Sequence, residues 1–425
     1  MGDSVRVLQL YDGHEKVYDG KGSVPGVVWN IAREMAASGH DMTVLERQWE
    51  GLPQTAKHDG VAIHRLDLST GTNEPWERVP YEVISEPLEM TRLVGDRVNF
   101  ALQALRYLRA MEFDVVHVHL PFTANVLVTV APRLRERLVY TAHMGELRLD
   151  ALTDDPSERS IAENGRIDTP QVLQLFSPDI YLARRSASTT VMNPTICESF
   201  VEKGAPSDRI QFVPNGVDID RFDPDDREIE AVTSRYKLGD QPVVLFLGTI
   251  MPRKGVTELM RAAGTVVSER GVNDVEFVLA GNPDLDQDYT DEVRSTIQQE
   301  GIEDSVTFTG FVDNDEIPGL YGRADLFVLP SLEEGFPLTP LEAMSARTPV
   351  IASRVGGIPR QFDDGEEGRL LEPSDEEALA DAMEELLTDA ERREAMSQAA
   401  ADRAREFAWK RVADQFDSIY RGVAE

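Results

Sequence analysis

Cysteine is nearly missing from this chain: 425 residues contain one, Cys197. A lone thiol closes no intrachain disulfide and has no second cysteine with which to hold a metal, the usage expected in a reducing cytoplasm. Lysine is scarce too, supplying seven of 43 basic residues against 76 Asp and Glu, so the formal charge is −33. Such a surface repels nucleic acid, whose binding depends on neutralising phosphates with Lys and Arg. Long apolar runs are also lacking. The longest charge-free stretch, Val115 to Pro132, holds His117, His119, Asn125, two Thr and Pro121, too polar and interrupted for a bilayer span. The opening MGDSVRVLQLYDG has too short an apolar run for a signal peptide and no Ser or Thr at its sixth position for myristoylation. The expectation is a cytoplasmic protein, soluble or peripheral.

What is present suits packed cores: 41% hydrophobic residues, with 30 Gly and 24 Pro, is ordinary globular composition. This length predicts two domains or one large one. The acidity is uneven, because residues 1–215 carry 22 basic and 30 acidic side chains while residues 216–425 carry 21 and 46. Acidic stretches such as Asp284 to Asp291 and Asp363 to Glu367 sit between well-patterned apolar segments. Self-repulsion on this scale is tolerated when salt screens it, so the composition reads as salt-adapted, with an acidic mesophilic enzyme as the alternative.

Apolar strand patterns alternate with helical ones. VRVLQL, a helix over Pro25 to Ser38 and MTVLE form one strand–helix–strand unit. Helices over Arg97 to Met111 and Asn125 to Arg135 alternate with strands over Asp114 to Leu120 and at LVYTAH. On the first of these helices Val98, Ala101, Leu102, Leu105 and Leu108 read as the packing side. VPNGVDIDRFDPDD has the Pro, Asn-Gly and acidic content of an exposed connection, and beyond it the alternation restarts at VVLFLG. The predicted fold class is therefore α/β, with two doubly wound parallel-sheet, Rossmann-like domains. They span residues 1–215 and 216–405, and a C-terminal helix over 406–425 packs back toward the first. In such sheets ligands bind beyond the carboxyl ends of the strands.

The strongest local signal is SLEEGFPLTPLEAMSARTPVIASRVGGIP. Glu334 and Glu342 lie eight residues apart around a glycine-bearing loop and a helix opened by Pro340. One reading is structural: Thr339 as N-cap and Glu342 three residues on form a capping box. The other is that backbone amides of Gly335 to Thr339 face an anion such as a diphosphate while the carboxylates accept hydrogen bonds from hydroxyls. Together with VPNGVDIDRF, FLGTIMPRKG, ADLFVLPS and GRLLEPSDEEAL in order, this Glu-x7-Glu pattern resembles family 4 of the retaining glycosyltransferases, which have the two-domain GT-B fold. The acidic composition further suggests a halophilic archaeon as source.

The resemblance implies transfer of a hexose or related sugar from a nucleotide diphosphate donor to a hydroxyl acceptor, with retention, in a cleft between the domains. Glu334 would contact donor-sugar hydroxyls and Glu342 the nucleotide ribose, with Phe336, Pro337, Leu338 and Thr339 along the sugar and phosphates. Lys254 matches the family's diphosphate-binding lysine. Thr249 stands where the family has arginine, and Arg253 is the substitute, with a guanidinium suited to phosphate oxygens. Gly22 and Ser23 correspond to the glycine-bearing loop after the first strand, and His143 to a histidine near donor sugar and acceptor. The family needs no metal or further cofactor; its acceptors are sugars or lipid-linked groups, and lipid-modifying members rest on the inner membrane face. His117 and His119, two apart on one strand face, read as packing. The rivals are a nucleotide-sugar 2-epimerase, a silent nucleotide-sugar sensor and a metal hydrolase built on the histidines.

Overall fold

A computed structural model describes residues 4–13, 15–20, 22–68, 87–143 and 178–425. The chain divides into two compact units, Met1–Pro214 with Val412–Glu425, and Asn215–Arg411. The first contains β1 (Arg6–Leu10), β2 (Asp41–Arg47), β3 (Thr55–His58), β4 (Val61–Leu66), β5 (Val115–Val118), β6 (Leu138–Ala142), β7 (Ser188–Val191) and β8 (Ile210–Phe212). They form one sheet in the order β3-β4-β2-β1-β5-β6-β7-β8. All the neighbouring strands are parallel except the edge pair, where β3 runs antiparallel to β4. The central strands are apolar because helices cover both their faces. Leu8, Leu10, Val116, Val118 and Leu138 are buried among the residues of one core, each stabilising the fold by about 1.5–3 kcal/mol relative to exposure.

The second unit repeats the architecture with β9 (Val243–Leu247), β10 (Glu276–Ala280), β11 (Val306–Gly310), β12 (Leu326–Leu329), β13 (Val350–Ser353) and β14 (Gly368–Leu371). Its order is β11-β10-β9-β12-β13-β14, parallel throughout. Chain order therefore reverses between β9 and β12. The loops leaving those two strands flank the place where open α/β sheets bind ligands.

Several local expectations are corrected. The helix expected over Asn125 to Arg135 instead runs Pro121–Val130, opened by Pro121, whose missing N–H costs nothing there, and a 3-10 segment Pro132–Arg137 follows. The helix expected from Arg97 begins at Pro87 and ends at Ala110. On it Ala101 and Leu105 are buried, but Val98 and Leu102 join Val94 among the exposed large apolar side chains, while Arg97 is 5% exposed. Burial of Arg97 follows from its partners: Nη1 donates to the carbonyl of Asp12, and Nε lies 3.6 Å from the Asp12 carboxylate. Among the described residues, no helix is long and apolar enough to cross a membrane.

The last helix, Trp409–Ala424, supplies the terminal part of the first unit. Tyr420 bonds His117 at 2.7 Å, the Phe416 ring centroid lies 5.3 Å from that of His117, and Asp417 pairs with His40 at 2.8 Å.

Candidate active site

Beyond β9 the chain makes a short 3-10 turn, Pro252–Lys254, and enters the helix Val256–Gly264 through Gly255 at φ +66°. A Cβ on Gly255 would stand 2.0 Å from the carbonyl oxygen of Pro330, just past β12. Only glycine permits both that backbone conformation and that approach. Leu332 N–H donates to the Arg253 carbonyl at 2.8 Å, tying the two loops together.

This juncture gathers three of the expected residues. Lys254 Nζ donates to Glu334 Oε1, which also accepts from Ser331 Oγ at 2.8 Å, and Arg253 Nη1 lies 3.8 Å from Glu334 Oε2. The Glu334 side chain is 7% exposed and that of Lys254 12%. Removing either member of so buried a pair strands a charge, at a cost of about 3–5 kcal/mol.

After Glu334 the loop carbonyls are all held by the protein. Gly335 O accepts from Gly357 N at 2.7 Å, Phe336 O from Asn215 Nδ2 at 2.9 Å, Pro337 O from Gln361 Nε2 at 2.6 Å, and Leu338 O from Glu342 N at 3.0 Å. The Phe336 ring is buried. Gly356, at φ +55°, passes so near that a Cβ would lie 1.8 Å from the Glu334 carbonyl oxygen. With its carbonyls anchored, the loop has the N–H groups of Phe336, Leu338 and Thr339 left over, and they meet no acceptor among the described residues. Successive N–H groups disposed in this way suit an anion.

The capping-box reading of Glu342 is corrected. The helix runs Thr339–Ser345 with Leu338 as N-cap and no side-chain cap bond, so Thr339 lies inside it. Glu342 Oε2 instead accepts the hydroxyl of Tyr321 at 3.0 Å. Burial raises the Glu342 carboxyl to about 6, against the opposing pull of that hydroxyl and of Arg221. A genuine box occurs elsewhere, between Asp225 and Glu228 at the helix Asp226–Tyr236. Sequence reasoning also missed Ser331, three residues before Glu334, and Tyr321, Asn215 and Gln361, whose polar ends reach the site's carboxylates and carbonyls from distant parts of the chain.

In the first unit Gly22 is the N-cap of the helix Ser23–Ala37, and Ser23 is its first residue. His143 directly follows β6 and bonds His119, which directly follows β5, through Nε2 and Nδ1 at 2.9 Å. His117 uses both ring nitrogens, one on Tyr420 and the other on Thr141 at 2.7 Å. That ring has no lone pair to spare for a metal, which argues against the hydrolase reading. Burial, then the proximity of His143, lowers His117 to about 3.

Residues 26–221 match the family described as Glycosyltransferase Family 4, and residues 229–403 match Glycosyl transferases group 1. The chain carries both glycosyltransferase domains. It is 28% identical over 405 residues to a D-inositol 3-phosphate glycosyltransferase of Corynebacterium glutamicum, covering 92% of this chain and 90% of that one. It is also 28% identical over 404 residues to a GDP-mannose-dependent alpha-(1-6)-phosphatidylinositol monomannoside mannosyltransferase of Mycobacterium tuberculosis, covering 92% of each. Among solved structures, sucrose-phosphate synthase of Thermosynechococcus elongatus superposes with a TM-score of 0.77 at 21% identity, covering 98% of this chain and 99% of that one. HepE of Anabaena, solved with UDP and glucose, superposes at 0.70 and 18% identity, covering 98% and 100%. The fold class expected from the alternating pattern is thus that of GT-B enzymes, and this protein is a glycosyltransferase.

Proposed function

We propose that this glycosyltransferase takes a sugar from a nucleotide diphosphate donor and attaches it, with retention, to a hydroxyl of an inositol-bearing acceptor, free or lipid-linked. The observation that carries the donor half is the meeting of Arg253, Lys254 and Glu334 beside a loop whose carbonyls are anchored and whose N–H groups are left over. The acceptor class is supported by the two curated relatives, both named for inositol compounds.

As the sugar–phosphate bond breaks, negative charge grows on the leaving diphosphate. Fixed donors stabilise that charge without reorganising: the Lys254 ammonium, the Arg253 guanidinium and the amides of Phe336, Leu338 and Thr339. The seven-residue helix behind them has a small dipole, so the loop amides and cations carry this role. Glu334 has lone pairs beyond those used by Lys254 and Ser331, enough to accept a sugar hydroxyl. Glu342, in its charged form, accepts from the ribose, and Tyr321 holds its other side. His143 positions a hydroxyl of the sugar or acceptor, and Gly22 and Ser23 line the donor side of the first unit. This arrangement places no step on a metal ion.

Supporting a salt-adapted source are the −33 charge and the scarcity of lysine. Peripheral membrane contact is supported by the exposed Val94, Val98 and Leu102; failure to co-sediment with anionic vesicles would count against it, and co-sedimentation that survives Val98→Asp plus Leu102→Asp would place the contact elsewhere. The deciding experiment incubates the protein with UDP- and GDP-sugars and follows nucleotide diphosphate release with and without inositol phosphate or phosphatidylinositol, in EDTA. Acceptor-dependent release in EDTA, with the anomer retained in the product, is expected. Epimerised sugar without acceptor would point to the isomerase reading, binding without turnover to a sensor, and activity that only a divalent ion restores would overturn the assignment to Arg253 and Lys254.

A further inference from the structure

The segment leaving β13 holds the loop leaving β12 at two points. Gly357 N–H donates to the Gly335 carbonyl at 2.7 Å, and Gln361 Nε2 donates to the Pro337 carbonyl at 2.6 Å. Each of these carbonyls shares a peptide with the N–H that follows it, of Phe336 in the first case and of Leu338 in the second. A peptide is planar and trans, so its C=O and N–H point in opposite directions. Fixing the one aims the other. The Thr339 N–H is fixed in the same way, because the Leu338 carbonyl accepts from Glu342 N at 3.0 Å. Asn215 holds the Phe336 carbonyl at 2.9 Å, but that peptide ends on the nitrogen of Pro337 and has no N–H to aim.

Of the three peptides with an N–H left over, those of Phe336 and Thr339 are fixed by backbone donors, and only that of Leu338 depends on a side chain. Gln361 is 0% exposed. Its own backbone is held at both ends, the N–H on the Ile358 carbonyl at 2.9 Å and the carbonyl by Arg403 Nε at 3.1 Å. Its Oε1 is buried and meets no partner. Turning the amide over would set Oε1 against the Pro337 carbonyl and bury an NH2 group without an acceptor, whereas the observed orientation leaves only an acceptor unused. Packing alone gives no reason for glutamine here, since an apolar side chain of similar length would fill the space without desolvating an amide. What the amide adds is its hold on the Pro337 carbonyl.

We propose that Gln361 is a positioning residue that, by holding the Pro337 carbonyl, aims the Leu338 N–H at the leaving diphosphate. Gln361 lies inside the fold and Leu338 is half-buried, so the N–H on the far side of the peptide points away from the core. It meets no acceptor among the described residues. Without Gln361 Nε2 the Pro337–Leu338 peptide is free to turn, and a donor that must be in place before charge develops loses its direction. The identity of the anion rests on the functional reading above; the aim of the N–H does not.

The test separates the two. Protein made with 15N-leucine and carbonyl-13C proline gives one amide correlation for each Pro–Leu pair, Pro87–Leu88, Pro337–Leu338 and Pro340–Leu341, and Leu338→Met identifies the second. That amide proton should move downfield when UDP, GDP or inorganic pyrophosphate is added, and should stay in place with uridine or guanosine. In Gln361→Met the movement should be lost and the Kd for nucleoside diphosphate should rise about fivefold, while the Kd for the nucleoside stays within about twofold. In the same variant kcat should fall by about tenfold or more, as expected when a reacting group loses its orientation. A collapsed loop would weaken nucleoside and nucleoside diphosphate alike, so equal losses overturn the positioning role, as does an unchanged kcat. Should Gln361→Met not fold, the unaltered protein decides, because a Leu338 amide indifferent to every phosphate that binds overturns the proposal and leaves the functional reading standing. Pyrophosphate that moves Leu338 where neither UDP nor GDP binds would sink the functional reading and leave the aimed N–H standing. If no phosphate binds, both fail.

Discussion

Replacing Glu342 by Gln should make the protein more stable and bind donor less well, and the two effects should part company with pH. The carboxyl sits behind the loop that follows β12, beside the buried Tyr321 hydroxyl, and burial raises it to about 6 from an ordinary 4.5. The folded protein therefore holds this proton more tightly than the unfolded chain does. Stability is lost as pH rises through the window from 4.5 to about 6 and stays lower above it. A rise from 4.5 to about 6 corresponds to about 2 kcal/mol. Gln keeps a carbonyl for Tyr321 and carries no charge, so it lacks that penalty. At neutral pH Tm should rise by about 4–8 °C, taking 2–4 °C per kcal/mol for a domain of this size. Below pH 4.5 both forms are neutral and the gain should vanish.

Donor binding should respond in the opposite sense. If ribose hydroxyls donate to Glu342, the charged form is the competent one, and wild-type affinity should improve as pH rises through about 6. Exchanging a charge-assisted hydrogen bond for a neutral one costs about 1 kcal/mol, or roughly fivefold in Kd. Calorimetric titration with the nucleoside diphosphate between pH 5 and 8, beside thermal melts at the same pH values, measures both. A stability gain independent of pH would refute the buried-carboxyl account. An affinity that Gln leaves unchanged at pH 8 would refute the contact with ribose.

Three further outcomes are expected. Arg253→Ala should lower kcat by on the order of 100-fold, the scale of losing one transition-state donor, and Thr249→Arg should partly rescue it; a threefold effect beside a crippled Lys254→Ala would leave Lys254 as the diphosphate ligand and Arg253 as a surface residue. Gly356→Ala would set a Cβ within 1.8 Å of the Glu334 carbonyl at φ +55°, so kcat/KM should fall by about 100-fold or more as the loop shifts; unchanged steady-state kinetics would show that the loop position does not matter. Molar potassium chloride should raise Tm above its value in dilute buffer, because salt screens the −33 charge, and a Tm indifferent to salt would remove the salt-adapted reading.

What could be read in the sequence was whatever lies close together along the chain. β9 and β12 are uninterrupted apolar runs, so their positions, and the loops that follow them, follow from pattern alone. The strands passed over, β3, β4, β7, β8 and β14, are three to six residues long; β3 exists as the edge partner of β4, and the others pair with strands about 15 residues or more away. Thr339 and Glu342 have the spacing of a capping box, but spacing cannot show that Tyr321 reaches the same carboxylate across 21 residues. The same limit explains the helix Pro87–Ala110. Its apolar positions suggested one packing side, whereas the pull of Asp12 on Arg97 turns Val98 and Leu102 outward.

Charged and polar partners therefore override hydrophobic periodicity wherever the protein also places its chemistry. Lys254 meets Glu334 across 80 residues and His119 meets His143 across 24, in each case because parallel strands end side by side. In a doubly wound sheet every strand delivers its next residue to the same edge, so distant positions in sequence become neighbours there. A local motif can nominate Glu334, Glu342 or His143. The groups that meet Glu334 and His143 come from beyond an adjacent strand, and the one that meets Glu342, Tyr321, comes from a helix; sheet order and packing, not sequence spacing, identify them.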